Sequence, residues 1–212
     1  MELGKFIAFE GGEGAGKSTQ ARLFFETMEA RGIACLLTRE PGGTPGAEAI
    51  RELLLHPPFE DMEGDGWGPR AEALLFAAAR ADHVARLIRP ALAAGKWVIC
   101  DRFLDSSRAY QGAAGALGDD AVRALHAIGS GGLLPDLTIV IAASPERVAE
   151  RLALRDGGHA DAIGGRAAGY HARVAQAFRD FAKAEPERFA LIDGDGSMAE
   201  VQVLVMAAAA RL

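Results

Sequence analysis

The sequence contains no asparagine and only two cysteines among its 212 residues. No Asn-Lys-x-Asp segment, the element with which GTPases read guanine, can therefore be present. The cysteines, Cys35 and Cys100, each sit in an apolar run that reads as a strand. Two such residues give no disulfide framework, and buried reduced thiols are the expected state. Basic charge is also short: 23 Lys and Arg face 29 Asp and Glu, for a net charge of -6. That balance argues against binding a nucleic-acid backbone, yet leaves room for a small anion held by a few local arginines. No run approaches the ~20 apolar residues of a membrane-spanning helix. The nearest, "VQVLVMAAAARL", reads as a packed terminal helix. The opening "MELGKFIAFE" has only a run of four apolar residues before Glu10, too short for a secretory leader. A cytoplasmic protein with no membrane or nucleic-acid partner is the expectation.

Short apolar runs are present, and they alternate with helical patterns. "KFIAFE" (5–10), "IACLLTR" (33–39), "KWVICD" (96–101), "LTIVIA" (137–142) and "FALID" (189–193) read as strands covered on both faces. Helices are predicted over 17–31, 46–55, 70–94, 119–128, 145–155, 170–184 and 198–211. Ser197 with Glu200 makes a capping box, and Ser144 with Pro145 makes an N-cap and first-turn pair. Such alternation implies a parallel sheet with right-handed crossovers. No repeat or linker interrupts it, so residues 1–212 are predicted to form a single α/β domain.

"GGEGAGKS" spans Gly11, Gly12, Glu13, Gly14, Ala15, Gly16, Lys17 and Ser18, with Thr19 following. It fits G-x-x-x-x-G-K-[ST] between a strand and a helix, the context this phosphate cradle needs. Its glycines let backbone N–H groups turn inward, and the helix N-terminus adds positive partial charge. Lys17 can reach terminal phosphates and Ser18 can hold Mg²⁺. A nucleoside triphosphate ligand follows. "WVICDR" ends a strand on Asp101, suited to a place near the metal. The next residue is the cation Arg102, where an ATPase motor would carry a glutamate. A cation there suits a second anion, such as an acceptor phosphate. A structural ion pair between Arg102 and Asp101 is the plainer alternative. Phe76 and Arg80 share a helix face. The ring could stack on a base and the guanidinium could donate to a base carbonyl, although the same spacing serves an ordinary core phenylalanine beside a solvated arginine.

Several segments together, "FEGGEGAGKST", "TREPGGT", "LLFAAARADHV", "DRF" followed by "SSRAYQG", and "LPDLTIVI", make the chain resemble the thymidylate kinases from about residue 4 to 193. The resemblance implies a P-loop NTPase fold, a five-stranded parallel sheet flanked by helices with a short mobile lid at about 155–170. It implies transfer of the γ-phosphate of ATP to dTMP, with Mg²⁺ at Ser18 and Asp101, and a homodimer. It places thymine on Phe76 and Arg80 and the acceptor phosphate on Arg102. Glu13, Arg39, Glu40, Pro41, Ser106, Ser107, Tyr110 and Gln111 are the remaining expected acceptor contacts. Tyr110 would disfavour a 2′-hydroxyl and Gln111 would reach the base.

The glycine-rich stretch "RDGGHADAIGGRAAGYH" (155–171) falls at the lid. It departs from the usual lid pattern Asp-Arg-x-x-Glu, because Asp161 is followed by Ala162. Two readings stay open. The lid delivers no cation, or Arg166 swings in with Arg155 to reach the β/γ-phosphates, with Arg151 further back on the helix. His159 and Asp161 suggest a metal site only weakly, as no third ligand has sensible spacing. Kinases of another acceptor, and a nucleotide-dependent switch with slow hydrolysis, are the other functional classes compatible with the P-loop.

Overall fold

The five apolar runs become β1 (Phe6–Glu10), β2 (Cys35–Arg39), β3 (Trp97–Asp101), β4 (Leu137–Ala142) and β5 (Phe189–Asp193). The computed structural model describes residues 4–57, 66–156 and 164–212, and the side chains of all of these except 154–156. All strand pairs are parallel and the order is β2-β3-β1-β4-β5. Among the described residues the helices are α1 (Lys17–Ala30), α2 (Pro45–Leu55), α3 (Pro69–His83), α4 (Arg89–Ala93), α5 (Leu104–Ser107), α6 (Asp119–Ser130), α7 (Pro145–Asp156), α8 (Ala168–Ala184) and α9 (Met198–Ala209).

Side chains alternate across the pleat, so each strand feeds both faces. Ile7 and Phe9 pack with Phe24 of α1 and Val205 of α9. Phe6 and Ala8 pack on the other face with Val84, Ile88 and Val122. Val140 and Phe189 meet Val174 and Phe178 of α8. Burying each large apolar side chain contributes roughly 1.5–3 kcal/mol. Coverage on both faces holds for the central strands. It fails at the edges, where Leu37 of β2 and Leu191 of β5 are 36% and 49% exposed. Cys100 is buried as expected, whereas Cys35, on edge strand β2, is only half-buried.

The helix predicted over 70–94 is continuous but not uniform. A π-helical turn, Val84–Ile88, separates α3 from α4, and Arg89 N–H reaches back to the Val84 carbonyl. Pro90 explains it: its ring has no N–H and would crowd the carbonyl one turn earlier, which the wider turn relieves. The capping box forms as expected, with Glu200 N donating to Ser197 Oγ at 3.3 Å and Ser197 N to Glu200 Oε2 at 2.8 Å. The sequence did not predict helix after Arg102, but α5 and a second π-helical turn, Arg108–Ala114, fill that segment.

The topology fixes where a ligand can sit. The chain leaves β1 toward β2 on one side of the sheet and leaves β3 toward β4 on the other. The carboxyl ends of adjacent β1 and β3 therefore border the crevice where ligands of open α/β sheets bind. β1 ends on Glu10, before the P-loop, and β3 ends on Asp101, with Arg102 next in the chain.

Candidate active site

The P-loop is shaped by its neighbours as well as by its sequence. A Cβ on Gly11 would lie 2.3 Å from the Ile141 carbonyl oxygen, so only glycine fits between β1 and β4. Gly16 takes φ 101 at the N-cap of α1 and offers no side-chain cap. The first N–H groups of α1 are thus left for a ligand. Arg151 of α7 braces the loop, donating from Nη1 to the Ala15 carbonyl and from Nη2 to the Gly194 carbonyl, both at 2.8 Å. Lys17 donates to the Gly12 carbonyl at 2.7 Å. Burial, reinforced by Arg102, lowers the Lys17 pKa to about 8.

A cavity of about 680 Å³ opens from this loop. Glu13, Gly14, Ala15, Gly16, Lys17, Ser18, Thr19 and Arg151 line it, together with Asp101 and Arg102. Arg39, Glu40, Pro41, Phe76, Arg80, Ser106, Ser107, Tyr110 and Gln111 line it too. The sequence therefore named most of this lining, but not Gln20, Arg51, Leu55, Phe103, Leu152, Gly194, Met198 or Val201. Gly11 and Gly12 are not in that lining.

Arg102 joins the two groups of residues. Its backbone takes φ 68, an uncommon conformation for a residue with a Cβ and one that concentrates at functional sites. Nη2 donates to Glu13 Oε2 at 2.9 Å and Nη1 to Ser106 Oγ at 3.2 Å, while the guanidinium lies 5.3 Å from the Tyr110 ring centroid. Its ion-pair partner among the described residues is Glu13 rather than Asp101, which corrects the simpler ion pair. Beneath it, Glu10 is fully buried and accepts from Phe103 N at 2.8 Å, Ser106 N at 2.9 Å and Ser106 Oγ at 2.6 Å. Burial, with Asp105 nearby, raises the Glu10 pKa to about 7. Glu10 thus fastens the loop that carries Arg102.

Glu40 does not face the ligand freely. Arg80 Nε donates to its Oε2 at 2.7 Å and His83 Nδ1 lies 3.1 Å from its Oε1. Both carboxylate oxygens are engaged, so Glu40 acts on the site by holding Arg80. Arg80 Nη2 also donates to Ser107 Oγ at 2.8 Å and to the Phe103 carbonyl at 3.1 Å. Nη1 has no protein acceptor among the described residues. Arg80 is accordingly a buried, oriented donor and not a solvated tip. Arg39 is paired with Glu48 through contacts of 3.0 Å.

The lid expectations divide. The Arg155 side chain, His159, Asp161 and Ala162 lie outside the described residues. Arg166 is described, and it is not on the P-loop. Its Nη2 donates to Glu72 Oε2, and Nη1 to the Tyr170 hydroxyl at 2.5 Å. Sequence reasoning missed Glu10, Arg51, Glu72, His83 and Tyr170. Arg51 lines the cavity and donates to the Pro41 carbonyl at 2.9 Å. Glu10 and His83 fall inside segments that carry the resemblance, but their roles, like those of Arg51, Glu72 and Tyr170, depend on partners that no contiguous spacing reveals.

For a metal, Asp101 Oδ1 is buried without a hydrogen-bond partner, and Ser18 lines the same cavity. A lone carboxylate with a hydroxyl suits Mg²⁺, which keeps phosphate and water ligands. No group of three or more His, Cys, Asp or Glu suited to a metal occurs among the described residues.

The family model for thymidylate kinase matches residues 9–205. The chain belongs to the thymidylate kinase family. It is 53% identical over 209 residues to the thymidylate kinase of Rhizorhabdus wittichii, covering 99% of this chain and 98% of that one. It is 48% identical over 197 residues to the thymidylate kinase of Symbiobacterium thermophilum, covering 93% and 88%. The crystal structure of thymidylate kinase from Ehrlichia chaffeensis superposes with a TM-score of 0.77 at 30% identity, covering 97% of this chain and 98% of that one. The thymidylate kinase fold is thus the five-stranded parallel sheet described above.

Proposed function

We propose that the protein transfers the γ-phosphoryl group of ATP to dTMP, giving dTDP and ADP on the route to dTTP. The observation that carries the reading is a single cavity joining the P-loop to the wall of Phe76, Arg80 and Gln111, with Arg102 reaching both parts. In this reading the P-loop amides and Lys17 hold the donor phosphates, and Arg151 keeps the loop in shape. Arg102 exchanges its Glu13 and Ser106 contacts for the acceptor phosphate. Phe76 stacks on the base, Arg80 donates to its carbonyl and Tyr110 walls the sugar. Arg39 and Pro41 complete the acceptor side.

The acceptor phosphate oxygen is anionic near neutral pH, so the reaction needs no general base. Catalysis rests on alignment and on cations around the moving phosphoryl group. Ser18 and Asp101 would hold Mg²⁺, which when bound neutralises phosphate charge. A segment at about 155–170 acts as the lid that excludes water, without which ATP would be hydrolysed. We place the protein in the cytoplasm as one domain, with no nucleic-acid or membrane partner. No described helix is long and apolar enough to cross a membrane. A homodimer is supported by exposed apolar side chains on helices that pack side by side, Leu53 of α2, Leu74 of α3 and Ile128 of α6.

ADP release measured with ATP, Mg²⁺ and each nucleoside monophosphate in turn tests the assignment. The highest kcat/KM is expected with dTMP, and ribonucleotides should be strongly disfavoured. A different monophosphate turned over more efficiently would replace dTMP as the acceptor. ADP release independent of any monophosphate would indicate a hydrolytic switch.

A further inference from the structure

Glu72 is a buried carboxylate that does not line the cavity. It lies on α3 one turn before Phe76, hence on the same helix face. Burying a carboxylate is costly unless both oxygens find donors. Here Oε1 accepts from Gln111 Nε2 at 2.7 Å, and Oε2 accepts from Arg166 Nη2. Arg166 is itself anchored: its Nη1 donates to the Tyr170 hydroxyl at 2.5 Å, which donates to the Tyr110 carbonyl at 2.7 Å.

This chain of bonds has only one polarity. A guanidinium donates and never accepts, and a carboxylate paired with it accepts. Gln111 must therefore turn its NH₂ toward Glu72, which assigns an amide orientation that shape alone would leave ambiguous. Gln111 is 3% exposed and lines the cavity, and its Oε1 accepts no hydrogen bond from any described residue. A carbonyl oxygen offered there accepts from the imide N3–H of thymine or uracil. It opposes the N3 lone pair of cytosine.

Resting on the dTMP reading above, we infer that Glu72 and Arg166 are positioning residues for acceptor choice, orienting the Gln111 amide so that the site selects a base with an imide N–H. Arg166 in this role serves the base and not the β/γ-phosphates.

Glu72→Gln tests the polarity. Arg166 still donates, so it captures the new amide oxygen and turns the new NH₂ toward Gln111. Gln111 must then flip and present its own NH₂ to the base. The kcat/KM ratio of dTMP over dCMP is expected to fall by ~10-fold or more, through dTMP KM, with the ATP KM unchanged. Adding Arg166→Ala frees the new amide to turn either way and should restore part of the dTMP efficiency. Arg166→Ala alone should raise dTMP KM several-fold and leave kcat nearly intact. An unchanged dTMP-to-dCMP ratio in Glu72→Gln, with a normal ATP KM, overturns the inference and leaves the dTMP reading standing. So does a ~10²-fold loss of kcat in Arg166→Ala at constant dTMP KM, which would return Arg166 to the phosphates. A double variant worse on dTMP than Glu72→Gln also counts against it. Wild-type protein that fails to phosphorylate dTMP overturns the functional reading itself.

Discussion

Lys17 carries the most direct pH signature of the site. Its ammonium is buried beside the Arg102 guanidinium, and that burial and repulsion outweigh the nearby carboxylates and lower its pKa from 10.5 to about 8. ATP binding needs the charged form. The kcat/KM for ATP should therefore be flat below about pH 7 and fall roughly tenfold per pH unit above about 8. Bound phosphates favour the ammonium, so the same limb in kcat should shift to higher pH. A pH–rate profile showing no basic limb below pH 10 would mean that Lys17 is charged without the ligand. Phe76 is the second residue with a separable effect. It lines the cavity, and Gln111 and Arg80 line the same wall. Losing a base-stacking ring is worth ~1–3 kcal/mol. Phe76→Ala should raise dTMP KM by ~10-fold to 100-fold while the ATP affinity, measured by calorimetry, stays within a factor of about two. Equal losses for both ligands would make Phe76 a core residue.

At the scale of elements, local signals were readable and partnered ones were not. The P-loop, the five strands and the Ser197–Glu200 cap are written in contiguous residues, and the structure reproduces them. The pairing of Arg80 with Glu40 spans 40 positions, and that of Arg166 with Glu72 spans 94. No spacing rule encodes such pairs. The sequence therefore shows Arg166 only as a cation in the lid stretch, and its bond to Glu72 becomes visible in the fold. Residues 104–114 went unrecognised as helix because Ser106, Ser107 and Gly112 weaken its periodicity. Its stability comes instead from burial of Leu104, Ala109 and Tyr110 and from the Glu10 carboxylate. The cap on α9 gives an element-scale test. Ser197→Ala removes the acceptor for Glu200 N, worth ~1 kcal/mol, and should lower Tm by about 2–4 °C in calorimetry. An unchanged Tm would show that the bond from Gln20 Nε2 to the Met198 carbonyl, at 3.0 Å, holds the helix start by itself.

For the whole molecule, the placing of two interior strands side by side sets the function. Because β1 and β3 are neighbours whose connections run to opposite sides, Lys17 and Arg102 come to the same crevice from segments 85 positions apart in the chain. The layer of α2, α3 and α6 lies behind the acceptor wall, and its exposed Leu74 and Ile128 suit a second copy of the chain. Light scattering at micromolar concentration should return twice the 22.2 kDa chain mass. A value of one chain mass would separate the site from any assembly. The central claim is phosphoryl transfer between two bound nucleotides. It is tested most directly by incubating the protein with Mg²⁺, dTMP and ATP labelled with ³²P in the γ position, then separating the products. The account predicts label in dTDP, equimolar with ADP, with little in inorganic phosphate. Label released as inorganic phosphate, with none in dTDP, would contradict it.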